Sequence, residues 1–302
     1  MTPEEILTEN LLTENLRVPA LFERRIGQVT EAVEVMLPES DMTKDDLPGV
    51  LADVGQRYLR LVTASAPDFS DVSPIHRQKA ATTFSMLSEC DTASFALHAS
   101  ERLREQGARL FRLVPYTPSA PFFVAYVENA LSNAAFATFR KTYTGAVPLY
   151  LDSVREAANA VSEGRAAFAV IPIFGAAGEI LLSSLQHIEN HELSICASYA
   201  PNGDNAVKFA FVAKAPLVTA FPATLMTCRV IPSPKFSAGA VLRAASMLGM
   251  TPLRFDSYRH SAQGNHSFVL TLSLDGMSPD AFITYAYLFT ASCTIYGVYG
   301  TF

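Results

Sequence analysis

Apolar residues recur at helical intervals through the first third of the chain. Ile6, Leu7, Leu11, Leu16, Leu21, Phe22, Ile26, Val29, Val33 and Leu37 fall close to a 3.6-residue period. Thr2-Pro3-Glu4-Glu5 forms a capping box with proline at the first helical position. Pro19 kinks or divides this helix and Pro38 ends it. A second helix follows Asp45 and Asp46 and presents Val50, Leu51, Val54, Tyr58, Leu61 and Val62 on one face. Helical spacing resumes over residues 74–109, with a break near Cys90-Asp91 and Gly107 as the C-cap. Residues 1–112 are therefore expected to form an N-terminal all-α helical unit.

The pattern changes after the proline-rich stretch Pro115–Pro121. Buried strands are predicted at Phe122–Val127, Val147–Leu151 and Phe168–Ile173, with helices at Ser132–Lys141 and from Ser153 to a glycine stop at Gly164. Helix over Glu179–His187 and strands Leu193–Tyr199 and Val207–Ala213 complete this part. The alternation implies a small α/β parallel-sheet lobe over residues 121–218. Its most informative segment is 149–178, where a strand runs into the small-residue loop Phe174-Gly175-Ala176, and open α/β sheets place ligands at such strand ends. Residues 223–302 follow the order β-α-β-β-α-β, a ferredoxin-like unit. The fold class expected is multidomain α+β.

Charge narrows the partners. A net charge of −6 and a pI near 5.5 oppose a nucleic-acid or anionic-membrane surface. No apolar run reaches transmembrane length, and the acidic start Met-Thr-Pro-Glu-Glu is unlike a signal peptide, so a cytoplasmic protein is expected. Cys90, Cys196, Cys228 and Cys293 show no metal or redox spacing and are expected as buried free thiols. His187 and His191 lie four apart without a third ligand, so no metal and no cofactor is expected.

Several stretches, in order, resemble the bifunctional chorismate mutase/prephenate dehydratase family with its C-terminal ACT domain. Val124-Ala-Tyr-Val127 with Ser132-Asn-Ala-Ala135 resembles the family's opening strand and helix. Glu156–Pro172 resembles its A-V-x-x-G-x-A-x-x-G-V-V-P-I-E-N-S segment, and Leu193–Phe209 resembles the approach to N-x-T-R-F. Gly239-Ala-Val-Leu242, Gly249–Tyr258 and Ile295–Tyr299 resemble ACT segments. The resemblance implies aromatic amino acid biosynthesis, a homodimer, and an aromatic amino acid or a chorismate- or prephenate-like molecule as ligand.

The departures redirect the chemistry. Glu128 and Asn129 replace a glycine and a proline, and the E-N-S loop becomes Phe174-Gly175-Ala176. T-R-F becomes Val207-Lys208-Phe209, so the hydroxyl that the resemblance makes the catalytic donor is gone. Ser132, Lys208 and Phe209 remain as a vestigial dehydratase site, with an N-cap as the other reading of Ser132. Only residues 173–206 separate Pro172 from Val207, which leaves no room for the family's second lobe. Dehydratase activity is therefore not expected.

Two functions stay open. In the first, the ACT part (223–302) senses an amino acid: the amides of Gly239, Ala240 and Val241 receive its carboxylate, while Asp256 and Ser257 hold its ammonium. Tyr258 and Arg259 replace the family's arginine and proline there, and a purely dimerising ACT part is the plainer alternative. In the second, the helices convert chorismate to prephenate. That reaction needs cations for two carboxylates, and Arg17, Arg25, Arg57 and Arg60 are the candidates. Met36 and Thr8 stand where the family has a lysine and an arginine, and the plainer reading is a solvated helix face.

Overall fold

A computed structural model describes residues 28–37, 47–64, 74–116, 121–201, 207–234, 236–260 and 265–302. The elements are α1 (28–36), α2 (Leu47–Ala64), α3 (Pro74–Glu105), β1 (Val114–Pro115), β2 (Phe122–Val127), α4 (Ala130–Thr142) and β3 (Ala146–Leu151). Next come α5 (Val154–Ser162), β4 (Phe168–Phe174), α6 (Leu182–Asn190), β5 (Ser194–Tyr199), β6 (Lys208–Ala213) and β7 (Leu217–Val218). The chain ends with β8 (Leu225–Pro232), α7 (Ala238–Met247), β9 (Thr251–His260), β10 (Asn265–Ser273), α8 (Asp280–Phe289) and β11 (Thr290–Thr301).

Two compact units emerge. The first comprises Met1–Leu110, Gly239–Leu248 and Asp280–Phe289, and the second comprises Phe111–Ala238, Gly249–Pro279 and Thr290–Phe302. In the first, α8 is apolar nearly all round, with Phe282, Ile283, Ala286, Leu288 and Phe289 buried, which is the signature of a helix that needs cover on every side. α2 and α3 supply that cover: Tyr58 and Phe95 stack at 4.0 Å, and Phe289 lies 6.3 Å from each. A Cβ at Gly55 would sit 1.9 Å from the Leu288 carbonyl oxygen, so the α2–α8 crossing admits only glycine. Arg243 of α7 grips Glu89 of α3 with two hydrogen bonds of 2.6 and 2.7 Å. The helical core thus reaches beyond residues 1–112 to include α7 and α8.

α3 runs unbroken through Cys90-Asp91, against the expected break. Thr92 and Ser100 hydroxyls donate to the carbonyls of Glu89 and Leu97, so the short polar side chains are satisfied inside the helix. Gly107 takes φ 77° and Ala108 N–H reaches the Leu103 carbonyl, which closes the helix as its glycine foretold.

The second unit is built on a nine-stranded sheet in the order β3-β2-β4-β6-β5-β11-β8-β10-β9. β2 pairs parallel with β3 and β4. β6, however, enters antiparallel between β4 and β5. The parallel sheet expected for the lobe holds for β3, β2 and β4, while the antiparallel β6 makes the lobe mixed, and the nine-stranded sheet as a whole is mostly antiparallel. Only residues 200–207 join β5 to β6, fewer than a parallel crossover requires, so the chain must fold back. β8 pairs antiparallel with β10 and β11, and β9 with β10, so these strands of the β-α-β-β-α-β segment are wholly antiparallel among themselves.

Two cores flank the lobe. Phe136 and Phe139 of α4 meet Val124, Tyr126, Phe168 and Phe211 on one face. On the other, Ala157, Ala158 and Ala160 of α5 and Leu185 and Ile188 of α6 pack on Ala125, Ala169, Ile171 and Ile195. The alanines bring α5 close to the sheet. β11 joins the lobe through parallel pairing with β5, where Ser198 and Thr301 hydroxyls lie 2.8 Å apart. A Cβ at Gly297 would lie 2.2 Å from the Ile195 carbonyl oxygen. Among the described residues no helix is long and apolar enough to cross a membrane.

Candidate functional site

The path β2-α4-β3 leaves one side of β2, while β4-α6-β5 runs to the other. The reversal lies between the C-terminal ends of β2 and β4, the position where an open α/β sheet offers a crevice. Asn129, just past β2, caps α4: its Oδ1 accepts the N–H groups of Leu131 at 3.0 Å and Ser132 at 2.9 Å. The N-cap reading of Ser132 is therefore corrected by three residues, and Ser132 itself is buried in the first turn. At the same edge Ser153 caps α5 by accepting Glu156 N–H at 3.2 Å.

The loop after β4 is closed on itself. Gly175 N–H donates to the Glu179 carbonyl at 2.8 Å, Gly178 N–H to the Gly175 carbonyl at 2.9 Å, and Ala177 N–H to Glu179 Oε2 at 3.0 Å. A Cβ at Gly175 would meet Glu179 Oε1 at 1.9 Å, so glycine is what lets the carboxylate fold over the turn. That use of Glu179 also explains why α6 starts at Leu182 rather than 179, with no side-chain cap. Lys208, half-buried, lies opposite Phe174 in the β4–β6 register, and the buried Phe209 lies opposite Pro172. The fold thus brings Ser132, Lys208 and Phe209 to one end of the sheet.

A strand distant in sequence clamps this loop. Arg254 of β9 stacks its guanidinium 4.1 Å from the centroid of the Phe174 ring and donates Nη2 to the Gly178 carbonyl. Its Nε and Nη2 also bind Asp256 Oδ2 at 2.5 Å and Oδ1 at 3.2 Å. Asp256 is thus already paired, and its side chain retains 23% exposure. Ser257 follows it directly on the strand, so the two side chains project to opposite faces and cannot both meet one ammonium.

A second polar cluster sits between α6 and the sheet. Arg229 on β8, only 10% exposed, donates Nη2 to Glu189 Oε1 of α6 at 2.5 Å and to Thr294 Oγ1 of β11 at 3.2 Å. Tyr296 donates to Glu189 Oε2 at 3.3 Å, and burial pushes its phenol well above the usual range. Tyr258 joins through the Arg229 guanidinium; burial raises its phenol while the nearby cation lowers it. The register explains the gathering, since Thr294 lies opposite Arg229 and Tyr258 opposite Ser267.

The remaining sequence candidates are scattered. Arg17 and Arg25 lie outside the described residues. Arg57 and Arg60 are exposed on α2, and Arg57 pairs with Asp53 at 2.8 Å one turn away. Gly239, Ala240 and Val241 open α7, with the latter two buried. His187 lies near the end of α6, and burial, His191 and Arg155 hold its pKa below the ordinary value. No group of three metal-ligating side chains occurs among the described residues. Cys196 and Cys228 are buried, Cys90 and Cys293 half-buried, and none of the four forms a disulfide. Burial pushes Cys196 up to about 12, so it is an inert thiol. Sequence reasoning missed Glu179, Arg254, Arg229 and Glu189. An arginine inside an apolar strand, as at Arg229, was the available signal.

No protein-family profile matches the chain, and no curated protein matches it in sequence. Solved structures are similar to it in part. Prephenate dehydratase from Streptococcus mutans shows 13% identity and a TM-score of 0.49 over 60% of this chain and 98% of its own. A protein described as GqqA, a novel type of quorum quenching acylase, shows 19% identity and a TM-score of 0.47 over 59% and 94%. Prephenate dehydratase from Arthrobacter aurescens in complex with L-Phe shows 13% identity and 0.47 over 59% and 90%.

Proposed function

We propose that this chain is a regulatory relative of the chorismate mutase/prephenate dehydratase family. In this reading residues 223–302 form an ACT-type, ferredoxin-like module that binds an aromatic amino acid in a homodimer. The lobe of residues 121–218 is its scaffold and does not dehydrate prephenate. The observation that carries the reading is the Arg254 clamp: one guanidinium holds both Asp256 and the loop that replaces the family's E-N-S segment. At the switch point, where acid–base groups would stand, Phe174-Gly175-Ala176 has none, and the Glu179 carboxylate is engaged by Ala177.

The clamp gives binding a route to a response. A ligand ammonium at the accessible Asp256 competes with the longer of its two bonds from Arg254, and the guanidinium that shifts is the one on Gly178. Ser257 contributes to this ligand through its backbone only. Calorimetric titration with L-Phe, L-Tyr and L-Trp tests the reading. Saturable binding of one of them, weakened about tenfold in Asp256→Asn by loss of a charged partner, is expected. No heat with any of the three overturns it. Phenylpyruvate formed from prephenate by purified protein would overturn the scaffold role of the lobe.

A further inference from the structure

The opposite end of the lobe carries a cavity of about 450 Å³ that is broadly open to solvent. It opens where β2 and β4 begin, β6 ends and α5 stops, away from the Arg254 clamp. Its volume falls within the span of small-molecule sites, and its lining has their usual make-up, apolar with a few convergent polar groups. Tyr116, Phe122, Val161 and Leu217 form the wall. Tyr116 stands edge-on to Phe122 and to Phe168, with centroids 6.2 and 5.1 Å away, so the aromatic wall is fixed by packing. Phe123 also lines the cavity and remains 49% exposed, beside Val147 in the β2–β3 register. A phenylalanine held half in water at a cavity is apolar surface still to be covered.

Two cations complete the lining. Arg165 and Lys214, both exposed, come from the turn after α5 and the end of β6. Glu163 engages Arg165 through Nε alone, at 2.7 Å, so among the described residues its two terminal nitrogens carry no hydrogen bond. Lys214 donates one weak bond, 3.3 Å, to the Ser162 carbonyl and retains two protons. In a chain of net charge −6, two cations against the single carboxylate of Glu163 leave a locally positive rim beside the aromatic wall. Burial keeps the Tyr116 phenol protonated, so it presents no competing anion.

We propose that this cavity binds a small amphipathic carboxylate, its aryl or alkyl body against Tyr116, Phe123 and Leu217 and its carboxylate on Arg165 and Lys214. The site is separate from Asp256 and does not rest on the sensing role. Calorimetric titration with 3-phenylpropanoate tests it, with 3-phenylpropylamine as the probe of opposite charge. The wild-type protein is expected to bind the carboxylate saturably and not the amine. Arg165→Glu with Lys214→Glu is expected to weaken the carboxylate at least about tenfold, the loss of a charge-assisted contact. Both positions are exposed, and an unchanged circular dichroism spectrum confirms that the variant is folded. Phe123→Ala is expected to weaken the same ligand through the body rather than the charge. No saturable binding at millimolar ligand, an unchanged Kd in the double variant, or equal binding of the amine would each overturn the proposal.

Discussion

The two ends of the lobe's strands use polar groups in opposite ways. At the C-terminal end nearly every one has an internal partner: Asn129 and Ser153 cap helices, Glu179 covers its own turn, and Arg254 ties Asp256 to Gly178. At the N-terminal end Arg165 and Lys214 keep open donors around an apolar hollow. The first end behaves as a joint between strand and loop, and the second as a receptor. The position of a loop at a strand end therefore does not name the working surface, because what matters is which polar groups are left to meet a ligand.

The largest expected loss lies outside the two ends, at the Arg229–Glu189 pair between α6 and the sheet, where the guanidinium is 10% exposed. Glu189→Ala leaves the Arg229 guanidinium without its carboxylate, and urea denaturation is expected to show a loss of about 3 kcal/mol. Arg254→Ala removes a stacking contact and bonds to Gly178 and Asp256. With both side chains partly solvated, a loss of about 1.5 kcal/mol is expected. Arg165→Ala at the receptor end is expected to change stability by less than about 0.5 kcal/mol. Equal losses at the two ends would erase the distinction.

A finer test addresses the turn itself. Gly175→Ala displaces the Glu179 carboxylate and is expected to cost about 1 kcal/mol, as is Glu179→Ala, since each removes the same hydrogen bond. The double variant should then lose little more than either single one. Additive losses would mean that the carboxylate does not close the turn. The smallest effect concerns pH. His187 has a folded pKa below its unfolded value, so the unfolded chain binds its proton first as pH falls. Stability should therefore decline as pH drops below about 6.5 toward the folded pKa, and His187→Gln should flatten that segment of the curve.

Local signals in the sequence carried far. Ser153, Gly164 and Gly107 mark helix ends that the structure realises, and the strand segments fall within a few residues of their apolar runs. Strand direction was not legible, because the alternation of Phe209, Phe211 and Ala213 reads the same in either sense. The brevity of residues 200–207 was the clue that β6 turns back. Nor was the partnership of α8 with α2 and α3, which rests on a glycine at 55 whose role depends on a helix far along the chain. The clamp was hidden for the same reason. Arg254 and Gly178 are linked across 76 residues, and periodicity within either segment says nothing of the other.

Hydrogen exchange across residues 174–181 tests the central claim most directly. With saturating L-Phe, L-Tyr or L-Trp, one of the three should speed exchange at the amides of Ala177 and Gly178 in the wild-type protein. The same ligand should leave those amides unchanged in Asp256→Asn. Exchange that is identical with and without all three amino acids would contradict a clamp that reads a ligand at Asp256.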